Sequence, residues 1–107
     1  MPRYAIIGDH SPLSCPGASK SAAQFAEETL NSKLPEVAQR LGVKLDVPLH
    51  LDPSHKTLVL AEAPSAEAVR DLIFEVGLQL FNNLDFYLVT PLPELMAKSA
   101  DWPKPFA

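Results

Sequence analysis

Arg3-Tyr4-Ala5-Ile6-Ile7-Gly8-Asp9-His10-Ser11-Pro12-Leu13-Ser14-Cys15-Pro16 begins with an apolar run that stops at Gly8-Asp9 and gives way to polar and turn-forming residues. Four consecutive apolar residues followed by Gly and Pro signals predict a strand that delivers a loop. That loop holds the single Cys of the chain and one of its three His. Ile6 and Ile7 are adjacent, so they face opposite sides of the sheet that this strand joins. No catalytic signature accompanies the stretch, which nominates a site without naming a reaction.

Downstream, Ser21-Ala22-Ala23-Gln24 matches a capping box and predicts a helix start. Phe25, Ala26, Leu30, Leu34, Val37, Ala38 and Leu41 follow at helical spacing, in phase across Pro35, which predicts one helix kinked at that proline. Gly42 fits a left-handed C-terminal cap. Val43, Leu45, Val47, Leu49 and Leu51 then alternate with Lys44, Asp46, Pro48 and His50, the pattern of a half-buried strand. Pro48 cannot donate to a ladder, so this strand belongs at a sheet edge or carries a bulge.

Asp52-Pro53-Ser54 reads as a turn, and His55-Lys56-Thr57 leads into Leu58-Val59-Leu60-Ala61, apolar on both faces as a central covered strand is. Ser65 caps a second helix with Glu67 in its first turn and a stripe of Val69, Leu72, Ile73 and Val76. Gly77 ends that stripe, with Leu78, Leu80 and Phe81 leaving room for another turn. Phe86 to Thr90 reads as the last strand and Pro93 to Lys98 as a short helix.

The 107 residues suffice for one core, so 1–98 is predicted as a single folded domain and 99–107 as a tail carrying Trp102 and Phe106. Hydrophobic residues at 47% and charged ones at 21% argue against disorder. A formal net charge of -4, with nine basic residues scattered singly, opposes a nucleic-acid partner. One Cys forms no internal disulfide and fits a reducing compartment, and the first apolar run is too short for a signal-peptide core or a membrane span. The expectation is a cytoplasmic protein with no membrane partner.

The order strand, helix, strand, strand, helix, strand suits an α+β, ferredoxin-like βαββαβ fold: a four-stranded antiparallel sheet with two helices on one face. Right-handed crossovers then bring His10, Cys15, His50 and His55 to one rim. Two helices cover one sheet face only, while the central strand is apolar on both, so a second copy is expected to cover the other face as a homodimer. This order, together with His10 to Pro16, Leu34-Pro35 and Val89-Thr90-Pro91-Leu92, resembles small uncharacterised members of the dimeric alpha-plus-beta barrel superfamily, which includes muconolactone isomerases and cofactor-free antibiotic-biosynthesis monooxygenases. The resemblance covers Arg3 to about Leu95 and implies a dimeric α/β barrel, but it carries over no catalytic residue.

At the rim, His10, Cys15 and His50 are ligand types for zinc, iron or copper, so a transition metal ion is the candidate cofactor, with Asp9 as a candidate fourth ligand. The alternative is structural: His10 caps loop carbonyls, Cys15 is a small buried residue and His50 a solvated edge side chain. Cys15 as a nucleophile would draw on a nearby His and the first helix N-terminus, but no third orienting group is identifiable. Lys44 and Asp46 either line a barrel interior or are solvated, Tyr4 and Tyr87 either stack on a ligand or pack in the core, and Trp102 and Phe106 either clamp the partner subunit or fray. The leading expectation is a dimeric small-ligand or metal-binding domain with His10, Cys15 and His50 at its site. A cofactor-independent monooxygenase- or isomerase-like enzyme acting on a small apolar molecule is the alternative, and an interaction module without a pocket is a third class.

Overall fold

The computed structural model describes residues 1–80 and 82–107, and the expectation for Phe81 lies outside them. The fold is α+β. Strand β1 (Arg3–Asp9) is followed by α1 (Lys20–Phe25), a π-helical turn (Ala26–Leu30) and α2 (Asn31–Leu41). Then come β2 (Lys44–Leu45), β3 (Leu49–Leu51), β4 (Lys56–Glu62), α3 (Ala66–Val76), β5 (Asn83–Val89) and α4 (Leu92–Lys98). Among the described residues the sheet has five strands in the order β2-β4-β1-β5, with β3 also on β4, and every pairing is antiparallel.

Tyr4, Ile6 and Ala61 on one sheet face pack with Val37 and Ala38 of α2 and with Val69, Leu72, Ile73 and Val76 of α3. This inner face holds the core, and the expected stripe of the second helix is buried throughout. Tyr4 meets Phe86 edge-on with ring centroids 6.1 Å apart. On the outer face Ala5, Ile7, Leu58 and Leu60 are half-buried, while Tyr87, expected in the core or on a ligand, is 56% exposed. β1 and β4 are the interior strands, consistent with the apolar character of Leu58 to Ala61 on both sides.

The strand expected over Val43 to Leu51 is split, which makes five strands instead of four. Leu45 pairs with Ala61 and Leu49 with Leu58, so three residues (Asp46, Val47, Pro48) on one side oppose two (Val59, Leu60) on the other. The extra residue is a β-bulge, the accommodation that a proline requires. It also reverses the alternation. Leu45 faces inward, whereas Leu49 and Leu51 share the outer face with Leu58, and Val47 is 79% exposed. His50 pairs with Thr57, which pairs with Gly8 on the inner face, so His50 moves to the helix side.

The N-cap of the first helix lies two residues before the expected one. Ser19, not Ser21, is its N-cap, and its hydroxyl accepts from the Ala22 N–H at 3.2 Å. The chain runs helically past Pro35, and the irregular backbone lies one turn earlier, in the π turn that ends where the Asn31 N–H bonds the Ala26 carbonyl. Gly42 and Gly77 both adopt the left-handed conformation, with φ of 72° and 86°, as helix C-terminal caps do.

The last strand starts at Asn83, three residues before its expected start, and Leu78–Leu80 forms the extra turn. α4 buries no residue. With a radius of gyration of 16.6 Å and extents of 55 × 32 × 19 Å, the chain is more extended than a compact domain of this length, at about 13 Å. No described helix is long and apolar enough to cross a membrane.

Candidate functional site

The inner face of β1 carries Tyr4, Ile6, Gly8 and then His10 in strict alternation. Beyond the last ladder pair, Asp9 with Lys56, the His10 N–H donates to the His55 carbonyl at 3.2 Å. This extension sets the two histidines opposite one another, with ring centroids 5.4 Å apart in an edge-on arrangement. Between β1 and α1 the loop folds over this strand end. A 3-10 turn, Pro12–Ser14, closes with the Cys15 N–H on the Pro12 carbonyl, and the Cys15 carbonyl accepts from Ala18 and Ser19 N–H at 2.9 and 2.7 Å. Cys15 is thereby held on both sides, and its Sγ accepts from the Gly17 N–H at 3.4 Å.

Asn82 orients His10. Its Nδ2 donates to the Leu78 carbonyl at 3.2 Å, which leaves Oδ1 to face His10 Nδ1 at 3.0 Å. Oδ1 has only lone pairs, so Nδ1 of a neutral His10 carries the proton and Nε2 is a bare acceptor. His10 Nε2 and His55 Nδ1 are both buried, and neither has a hydrogen-bond partner among the described residues. One ligand atom from each of His10, Cys15 and His55 lies within 4.8 Å of the other two, a grouping that no other three His, Cys or carboxylate residues described here form.

Beside this cluster a cavity of about 410 Å³ opens between the inner sheet face and the helices. Its walls include Ile6, Leu30, Leu34, Val59, Leu72 and Leu84, and the polar residues among its lining are His10, Cys15, His50, Thr57 and Asn82. Gly8 forms part of the floor. A Cβ there would stand 2.9 Å from Thr57 Oγ1, so an added side chain would crowd the threonine opposite it.

His10 and Cys15, two of the three expected site residues, come together. His50 lines the same cavity, but it is half exposed, its Nδ1 is hydrogen-bonded to Asp52, and it lies outside the group of three. The third member is His55, which sequence reasoning placed on the rim but not in the site. His10 does not cap a loop carbonyl; its ring bonds the Asn82 side chain instead. Lys44 on the edge strand and Asp46 in the bulge are exposed, and Trp102 and Phe106 are exposed in the tail. Compared with known proteins, the chain matches no family model and no curated relative.

Proposed function

We propose that this chain is a small-ligand-binding protein of the ferredoxin-like, dimeric α/β-barrel type. Its ligand is a small, largely apolar molecule with a hydrogen-bonding group at one end. The observation that carries this reading is the 410 Å³ cavity with mainly apolar walls and a few polar residues in its lining. Protein interiors are close-packed, and pockets of about 300–1,000 Å³ with a few placed polar groups are the usual form of a small-molecule site. A split edge strand aside, the sheet order and the two helices on one face support the ferredoxin-like assignment. A homodimer is supported by the apolar outer face and by an arm whose Leu92, Met96 and Phe106 are exposed.

A thermal-shift screen of small apolar compounds bearing one polar group tests the binding reading, with Leu34→Trp as a variant whose indole fills the cavity. A ligand at 100 times its Kd stabilises by about 2.7 kcal/mol, a rise of roughly 10 °C for a domain of this size. The expected result is a rise in the native protein that Leu34→Trp lacks. Equal stabilisation of both proteins by every active compound would place binding outside the cavity and defeat the reading.

A further inference from the structure

We propose that His10, Cys15 and His55 together bind one zinc ion at the cavity's polar side, through His10 Nε2, Cys15 Sγ and His55 Nδ1. The inference stands apart from the small-molecule reading, because it rests on the three donors and not on the cavity.

Two buried, unpartnered imidazole nitrogens, on rings whose centroids lie 5.4 Å apart, are the first argument. Buried polar side-chain atoms are nearly always hydrogen-bonded, and an exception points to strain, catalysis, a water or an ion. An unsatisfied buried group keeps the desolvation cost that a partner would offset. The two rings do not satisfy one another, since neither nitrogen has a partner although a ligand atom of each lies within 4.8 Å of the other's. A shared ion satisfies both at once, and a thiol lies within the same distance.

The second argument is the tautomer. The Leu78 carbonyl fixes the Asn82 amide, Asn82 Oδ1 fixes the His10 proton on Nδ1, and the lone pair on Nε2 is left for a ligand. Metal-binding histidines are oriented in this way, with the second nitrogen donating to a carboxylate or carbonyl-type oxygen. For a histidine that merely fills space, a relay that exposes the lone pair to a site with no donor would be a net loss.

Donor chemistry selects the ion. Two imidazoles and a thiolate exclude calcium and magnesium, which take oxygen ligands, and suit zinc, a borderline-soft ion bound by His and Cys. With Zn–N of about 2.0–2.1 Å and Zn–S of about 2.3 Å, tetrahedral donors stand roughly 3.3–3.6 Å apart. The cluster, within 4.8 Å, closes on the ion by about 1 Å of side-chain movement. Three protein ligands leave the fourth position to water or to a molecule in the cavity, which His10 and Cys15 both line.

The full chain, stripped with a chelator, is titrated with zinc against a chromophoric competitor, and with cobalt as a spectroscopic substitute. One zinc per chain is expected, together with a thiolate-to-cobalt charge-transfer band in the near ultraviolet. Cys15→Ser loses that band, and Cys15→Ser and His55→Ala, which remove a ligand outright, each weaken zinc by at least the roughly 100-fold upper bound for loss of an outer-shell partner. Asn82→Ala, a change to a positioning residue, weakens zinc by about 10- to 100-fold, whereas His50→Ala binds zinc like the native chain. Native protein that takes up no zinc at micromolar free ion overturns the proposal without recourse to any variant. Zinc uptake that survives in His55→Ala and is lost in His50→Ala overturns the assignment of the third ligand.

Discussion

Gly8→Ala probes the contact on which the inner floor of the cavity depends. The new methyl would stand 2.9 Å from Thr57 Oγ1 and 3.3 Å from Leu84 Cδ2. Leu84 can swing the end of a flexible side chain, but Thr57 is β-branched, stiff at χ1, and fixed in the neighbouring strand by the β1–β4 register. Overpacking of this kind costs about 1–3 kcal/mol. Replacing glycine in a strand returns about 0.5–1 kcal/mol, because the unfolded chain loses freedom. The net expectation is a loss of about 1 kcal/mol, read by urea unfolding as a lower midpoint at unchanged slope. Thr57→Ala removes the hydroxyl, so in the double variant the added methyl meets little resistance and a coupling of about 1–2 kcal/mol in favour of the pair is expected. Additivity within about 0.5 kcal/mol would mean that the structure admits the methyl without meeting Thr57, and position 8 would not require glycine.

Ser19→Ala should cost about 1 kcal/mol of stability through the lost cap of the first helix, while Ser21→Ala, inside the helix and exposed, stays within about 0.5 kcal/mol. The reverse order in paired thermal melts would restore Ser21 as the cap. Light scattering at micromolar concentration should report about twice the chain mass, and Tyr87→Asp on the outer face should shift it toward the monomer. A native monomer under those conditions removes the reason given for the apolar outer face.

The parts of this fold that were legible in the sequence are those decided within a few residues. Ser65, the stripe from Val69 to Val76 and Gly77 specify α3 almost by themselves, because cap, period and left-handed stop are all local. The first helix start was not legible, because two serines compete and the winner is set by the loop: the Cys15 carbonyl captures the Ala18 and Ser19 N–H groups and starts the helix at Lys20. Pro48 announced an edge or a bulge but not the consequence. One extra residue in the edge strand turns Leu49 and Leu51 outward and His50 inward, and alternation alone cannot show such a reversal.

The pairing of His10 with His55 is legible only once β1 and β4 are known to be antiparallel neighbours in a given register, and packing supplies that register. Ile6 opposite Val59, Gly8 opposite Thr57 and His10 beside His55 are successive inward pairs on one ladder. A slip of one residue would bring a residue of opposite face against each of them, turning Val59 or Ile6 away from the core along with the histidine. The burial that holds Ile6 against α3 therefore also keeps both imidazoles on the helix side, within reach of the loop that carries Cys15. Placing the two histidines on one face needs no interaction beyond the register, because a register that misplaces them also misplaces the core.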